Sequence, residues 1–190
     1  MQKTFSAALV AAILFCVGTP AIAKAKSASS SSGTTTAGNF EVDGSFVFAT
    51  GPGSFNNGYG FNVGGGYTLT SVDKNLQARA DLSVINFSYD HYATRMDSRR
   101  IPFVVGARYS LPIVDRLTVF GQAGIETSFD SFDAPLGTGK ESKNEVNFGG
   151  SLGGGASYQI MPNLSAFALA RVHMISDSYW TMQFGAAFHF

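Results

Sequence analysis

Few side chains in this sequence have the types and spacing that catalysis requires. Ser88, Asp90 and His91 lie close together, and Ser176 follows shortly after His173. A hydrolytic site needs a nucleophile, a base and a group that orients the base, all within hydrogen-bonding reach. Neither group of residues has a spacing typical of such a site, and isolated serine and histidine residues in loops are usually solvated. We therefore expect no catalytic residues and no enzyme.

The sequence also has few residues suited to metal binding or thiol chemistry. Asp130 and Asp133 supply too few oxygen ligands for a calcium site without further partners. The single cysteine, Cys16, lies in an N-terminal apolar segment that we expect to be removed, which leaves no thiol for a disulfide. We therefore expect no metal and no cofactor.

The composition restricts the class of protein further. Of the 190 residues, 45% are hydrophobic and only 14% are charged, with 13 basic and 13 acidic residues in balance. Soluble domains usually carry about a quarter charged residues, and nucleic-acid-binding domains are strongly basic. After Gly18 the sequence contains no apolar run long enough for a membrane-spanning helix. A helical membrane protein is excluded, no nucleic acid is expected as a partner, and a β-protein facing lipid becomes a candidate.

The residues from Phe40 onward alternate with a period of two, which is the period of a β-strand. In the first segment Phe40, Val42 and Phe46 share one face, while Glu41 and Asp43 share the other. Seven further segments repeat this alternation: 59–69, 76–84, 100–111, 117–129, 146–159, 164–174 and 180–190. The connections are alternately long and short, except that the last is also short: 51–58, 71–75, 88–99, 112–116, 130–144, 160–163 and 176–178. Eight such strands predict an all-β barrel of antiparallel up-and-down topology.

The polar face of the strands decides which side looks inward. A soluble lipocalin-like barrel shows the same alternation with its apolar face inside. Here the polar faces of the second and sixth segments consist of small uncharged residues, and no lysine falls on any segment, although soluble sheets usually carry lysine on their surface. No ionised residue falls on the apolar faces, as hydrocarbon requires. We therefore predict a transmembrane β-barrel with its polar face inside, and a soluble exported barrel is the alternative.

Acidic and basic residues on the inward faces are nearly balanced. The predicted interior polar network consists of Glu41, Asp43, Arg79, Asp81, Arg108, Glu126, Arg171 and His173, and Arg100 and His189 face the same way. A selective pore would show a ring of one sign, whereas matched charges in a narrow barrel pair and close it. The network predicts a plugged, salt-bridged interior, and a small channel is the alternative.

Two local patterns give further expectations. After Val84 the apolar residues change parity to Ile85, Phe87 and Tyr89, which predicts a β-bulge near Val84. At the N-terminus a basic residue, an apolar stretch and the triplet ending at Ala23 predict a signal peptide over residues 1–23, cleaved after Ala23. Residues 24–39 are rich in serine and threonine and predict a disordered tether, which leaves residues 40–190 as the barrel.

The alternating segments, the glycine-rich second and sixth strands and the final strand WTMQFGAAFHF resemble the small outer-membrane barrels of Gram-negative bacteria, the OmpA/OmpX-like and opacity-protein-like surface antigens. The resemblance implies an outer-membrane location and a structural or surface-interaction role. It implies lipid and lipopolysaccharide, the outer-membrane assembly machinery and periplasmic chaperones as partners of a monomer. An enzyme that modifies lipid A is a further alternative. The C-terminal assembly signal of the family maps onto Trp180, Phe184, Phe188 and Phe190.

One predicted loop mixes aromatic and basic residues. Tyr89, His91, Tyr92 and Arg95 fall in the connection 88–99. Such side chains could contact lipopolysaccharide phosphates or a partner protein. An ordinary exposed loop is the alternative interpretation.

Overall fold

Eight β-strands form a closed barrel. The computed structural model describes residues 39–51, 56–91, 94–136 and 139–190, so the predicted signal peptide and all but the last residue of the predicted tether lie outside the described residues. The strands are β1 (Phe40–Ala49), β2 (Gly58–Thr68), β3 (Leu76–His91), β4 (Thr94–Val114), β5 (Leu117–Leu136), β6 (Gly139–Met161), β7 (Leu164–Met174) and β8 (Tyr179–His189). Each strand pairs antiparallel with the next in sequence, and β1 pairs with β8. The predicted eight-stranded up-and-down barrel is confirmed.

The two faces of the barrel wall differ as the period of two predicts. In β1, Val42 and Phe48 are 39% and 52% exposed, whereas Glu41 and Asp43 are 7% and 3% exposed. The large apolar residues of the other strands are mostly on the outside, and the charged residues of the strand centres are buried inside. Within the described part of the chain, no helix is long and apolar enough to cross a membrane.

The predicted bulge near Val84 is wrong. Leu82 pairs with Phe103 and Ile85 pairs with Arg100, so the register of β3 against β4 is the same on both sides of Val84. Ile85 and Phe87 therefore keep the inward direction and are 0% and 3% exposed. They lie in an interior apolar cluster, which accounts for apolar residues at inward positions without an inserted residue. The cluster consists of Val47, Ala49, Ile85, Phe87, Ile175 and Tyr179.

The two longest predicted loops are mostly strand. β3 continues to His91 and β4 begins at Thr94, while β5 continues to Leu136 and β6 begins at Gly139. The sequence is polar on both faces there, which suits a β-hairpin surrounded by water as well as it suits a loop. The strand pairing satisfies the backbone polar groups there, and the ladder of β5 and β6 continues through the pair of Asp133 and Ser142. The change to polar residues therefore indicates where the barrel wall leaves the lipid. The strands themselves continue beyond that point.

A tight turn joins β4 to β5 at Asp115 and Arg116. Arg116 has a φ of 70°, and it is the only residue other than glycine with positive φ in the described chain. This left-handed backbone brings the side chain of an L-residue close to the following carbonyl oxygen. Arg116 therefore holds a strained position that glycine would occupy without strain.

We predict that Arg116→Gly raises the free energy of unfolding by about 1 kcal/mol. The matched control is Asp115→Gly, which should lower it by about 0.5–1 kcal/mol because φ is not positive there and glycine only adds disorder to the unfolded chain. Urea titration in lipid vesicles, followed by gel mobility, measures both. A lower stability for Arg116→Gly would contradict the turn geometry.

Candidate functional site

Arg79 is the centre of an ion-pair network inside the barrel. Its Nη1 donates to Oε1 of Glu41 at 2.6 Å, and its Nη2 donates to Asp43 and, at 3.0 Å, to Oδ1 of Asp81. The four side chains are buried. One guanidinium thus serves three carboxylates, two from β1 and one from its own strand, which compensates its removal from water.

The glycines of β2 allow the side chain of Arg79 to reach those of Glu41 and Asp43 across β2. Gly66 pairs with Glu41 on one side and with Arg79 on the other, so β2 lies between the two charged residues. Gly64 lies in the same way between Asp43 and Asp81. A Cβ atom on Gly64 would come within 2.7 Å of Nη2 of Arg79 and 2.8 Å of Oδ1 of Asp43. The inward face of β2 therefore has no side chain at 64 and 66, because the ion pairs cross over it there.

Two further arginines extend the network across the barrel. Nη1 of Arg108 in β4 donates to Oε1 of Glu41 at 3.1 Å. Nη2 of Arg171 in β7 donates to Oδ2 of Asp81 at 2.7 Å. The contacts join β1, β3, β4 and β7, which share no ladder except that of β3 with β4. Side chains thus connect opposite walls that the backbone does not.

A second polar group lies beside the interior apolar cluster. Nδ1 of His173 is 2.7 Å from Oε2 of Glu126, and its Nε2 is 3.0 Å from Oγ1 of Thr181. The imidazole stacks on the ring of Tyr179 with centroids 4.3 Å apart, and Arg100 lies 4.9 Å from the centre of that ring.

Arg100 also holds an acidic residue in the predicted connection 130–144. Its Nε donates to Oδ1 of Asp130 at 2.9 Å, and Ser128 donates to the same oxygen at 2.6 Å. Asp130 is 2% exposed. Continuing the period of two beyond Phe129 would have found it, because Asp130 has the parity of Glu126 and Ser128.

The order of Glu126, His173 and Thr181 is that of an acid, an imidazole and a hydroxyl, which is also the order of a catalytic triad. The three residues are only 1–2% exposed, and the ring of Tyr179 covers the imidazole. A substrate needs space beside the hydroxyl, and these contacts leave none. The arrangement acts as a buried brace between β5, β7 and β8.

The barrel centre has little free volume. A void of about 10 Å³ lies among Arg79, Asp81, Gly106 and Gln122, and it is large enough for about one water molecule. A second apolar cluster fills another part of the interior, and Arg108 lies 4.2 Å from the ring centre of its Phe120. That cluster consists of Phe120, Phe167, Leu169 and Ala187.

The remaining predicted residues are only partly described. Nδ1 of His189 lies 3.6 Å from Oε2 of Glu41, and its Nε2 lies 3.0 Å from Oγ of Ser165. Tyr92 lies outside the described residues, and Tyr89, His91 and Arg95 are described only as backbone positions in β3 and β4. Their contact role stays a prediction.

The predicted assembly signal lies on the outside of the closing strand. Trp180, Phe184 and Phe188 are 59%, 51% and 39% exposed, and the backbone N–H of Phe190 donates to the carbonyl of Phe40 at 2.9 Å. This placement puts the aromatic side chains where another protein could reach them. Their role in assembly stays a prediction.

Comparison with known proteins gives one family and several similar structures. The model of the outer membrane protein beta-barrel domain matches residues 7–190. Ail, the attachment invasion locus protein of Yersinia pestis, is 15% identical with a TM-score of 0.59, covering 80% of this chain and 99% of that one. OprG from Pseudomonas aeruginosa is 11% identical with a TM-score of 0.58, covering 81% and 96%. Neisserial surface protein A is 17% identical with a TM-score of 0.56, covering 80% and 97%. No curated protein matches the chain.

We predict that Gly64→Ala lowers the free energy of unfolding by about 1–3 kcal/mol, because the added methyl group enters the contacts between Arg79 and Asp43. Gly65→Ala is the matched control, since its Cβ would point outward with its nearest neighbour at 3.7 Å. The control should be neutral or slightly stabilising. Equal losses for both variants in urea unfolding would contradict the crossing of ion pairs over β2.

We also predict that Arg79→Gln lowers the free energy of unfolding by about 3–5 kcal/mol, because three buried carboxylates lose their shared cation. Adding Asp43→Asn should restore part of the loss, since one of the unpaired charges is removed. Thermal unfolding by gel mobility measures both variants. The network would be energetically unimportant if the single variant unfolded like the wild type.

Proposed function

Because the chain belongs to the outer membrane protein beta-barrel domain family, we propose that it is a plugged barrel that interacts with partners outside the cell. The family match confirms the resemblance to small outer-membrane barrels, and the chain is an outer-membrane β-barrel protein. Related outer-membrane barrels are typically not enzymes. The finer role rests on the unequal heights of the barrel wall.

The proposal rests on one observation, which is the length of the four consecutive strands β3 to β6. β3, β4, β5 and β6 contain 16, 21, 20 and 23 residues, whereas β1, β2, β7 and β8 contain 10 or 11. A strand of about 9–11 residues suffices to cross the bilayer. The additional length of β3–β6 is therefore more than anchoring requires, and we call the part above the Phe129–Val146 pair the ridge.

The ridge is tall and polar. Phe129 and Val146 are 50% and 54% exposed, as lipid-facing residues are. Pairing continues beyond them to Leu136 and Gly139, and at about 3.4 Å per residue this hairpin extends roughly 24 Å further along the strand direction. Such a hairpin stands above the membrane surface, where a partner can reach it.

The connections indicate on which side of the membrane the ridge stands. Three short connections, residues 69–75, 115–116 and 162–163, lie at the opposite end of the barrel from the ridge. Outer-membrane barrels place their short turns in the periplasm and their longer hairpins outside. This rule supports an extracellular ridge.

The packed interior supports a role other than transport. The ion pairs of Arg79, Arg108 and Arg171 cross the barrel, and the void beside them holds about one water molecule. No observation favours a channel or an enzyme that modifies lipid A. In planar bilayers the wild-type barrel should give no stepwise conductance, and steady steps would contradict the plug.

We predict that single cysteines report the orientation of the ridge, since Cys16 is the only cysteine of the sequence. A membrane-impermeant maleimide should label Asp133→Cys in intact cells and the matched Asp115→Cys only after lysis. The heat-dependent gel shift of each variant controls for folding. Labelling of Asp115→Cys in intact cells would reverse the orientation.

A ridge deletion tests the interaction itself. Residues 133–142 are replaced by Asn-Gly, which closes the hairpin above the Phe132–Lys143 pair and leaves the barrel below unchanged. Cells displaying the full chain should adhere to members of a panel of immobilised proteins and glycans, and cells displaying the deletion should lose this adhesion while keeping the heat-dependent shift. Adhesion that survives the deletion, or that the full chain lacks, would overturn the proposed role.

A further inference from the structure

The outside of the barrel changes from apolar to polar within one row of paired residues. Phe61 and Val84 pair across β2 and β3, Phe129 and Val146 pair across β5 and β6, and all four are exposed. The next outward row toward the ridge is formed by paired neighbours on β2 to β6: Tyr59, Asn86, Arg99, Ser131 and Asn144. This polar row lies where hydrocarbon gives way to headgroups.

A cavity of about 330 Å³ lies on this row. Tyr59, Asn86, Arg99 and Ser131 line it from the row itself, and Asn57, Ser88 and Asp97 line it above the row. The buried residues Phe87 and Ser98 complete the lining. The cavity volume is at the lower end of the range for small-molecule sites, about 300–1,000 Å³, which suits a headgroup better than a whole lipid.

Arg99 is the cation of this cavity. Its Nε donates to Oδ1 of Asn86 at 3.2 Å, so the amide of β3 orients the guanidinium on β4. A guanidinium has five N–H donors in a planar fork, and it recognises phosphate through paired hydrogen bonds. The neighbouring amides and hydroxyls of Asn57, Ser88 and Ser131 are suited to the hydroxyl groups of a sugar.

We propose that this cavity binds the phosphorylated sugar headgroup of an outer-leaflet glycolipid, with the phosphate on Arg99. The acyl chains of the same molecule lie along the apolar row below. The site lies below the tip of the ridge, so it does not depend on the proposed surface interaction.

We assign a lipid as the occupant because the cavity lies next to the lipid-facing surface. Phe61 and Val84 stand directly beneath Tyr59 and Asn86 on the same outward faces of β2 and β3. A soluble phosphate would use the cation but not the apolar row, whereas a glycolipid uses both. Burial of its chains against exposed apolar side chains adds to the charged contact.

The test uses the folded full chain in detergent micelles and measures bound lipid by native mass spectrometry. The probe is bis-phosphorylated lipid A, with dephosphorylated lipid A, phosphatidylglycerol and inorganic phosphate beside it. The wild type should retain bis-phosphorylated lipid A, and Arg99→Gln should weaken this binding about tenfold through loss of the charge-assisted contact. The matched control is Arg116→Gln, which removes the same charge at the opposite end of the barrel and should leave the affinity unchanged.

The outcomes separate the possible sources of the phosphate. Equal affinity for dephosphorylated lipid A would contradict the role of Arg99 in binding phosphate. Equal affinity for inorganic phosphate would contradict the assignment of a lipid as the ligand. An equal loss of affinity in Arg116→Gln would mean that net charge, and not the cavity, causes the effect, which would contradict the proposed site. Because the experiment needs no cell adhesion, it can succeed even if the ridge deletion shows no effect, and the reverse also holds.

Discussion

An eight-stranded barrel in a membrane must fill its own interior, and this constraint governs the rest of the structure. The hydrocarbon outside accepts no ionised side chain, so every charge at membrane depth has to face inward. Inside there is room for side chains but not for a hydrated channel. Arg79 meets this constraint by forming ion pairs with three carboxylates. Glycine at 64 and 66 follows from it, because two large side chains cannot occupy the same cross-section of a narrow barrel.

The interior is divided between polar contacts and apolar packing. The network around Arg79 lies among β1, β3, β4 and β7, while Phe120, Phe167, Leu169 and Ala187 fill space between β5, β7 and β8. Tyr179 belongs to the other apolar cluster and also stacks on His173, so it joins that cluster to the buried pair of His173 and Glu126. Aromatic faces thus cover charged groups that would otherwise lie against bare hydrocarbon side chains. The two kinds of packing together close the barrel centre.

Much of the fold could be predicted because the alternation of side chains is strict. The eight strands and the inward positions of Glu41 and Arg171 follow directly from the period of two. The heights of the strands could not be predicted, because a hairpin in water and a loop in water have the same polar composition. Asp130 lies in such a hairpin, beyond the end of its predicted segment. Tyr179 has the inward parity of Thr181 and Gln183, but the predicted eighth segment begins at Trp180. The apolar pair Ile85 and Phe87 suggested a bulge, since parity alone does not reveal an apolar cluster inside a polar barrel.

The unequal heights of the wall leave the upper part of β6 without a neighbouring strand on one side, within the residues that the structure describes. β7 ends at Met174, opposite Gly150, so the part of β6 from Gly139 to Gly149 rises without β7 beside it. β3 also rises beyond the end of β2, where the backbone N–H of Asn56 donates to the carbonyl of Ser88. Bare edges of this kind recruit the strands of neighbouring molecules, and crowding in a membrane increases the number of encounters. The sequence of β6 places Lys140, Lys143 and Glu145 along its edge, and the last two form an exposed ion pair. Charges at this height disfavour edge-to-edge pairing between copies of the protein.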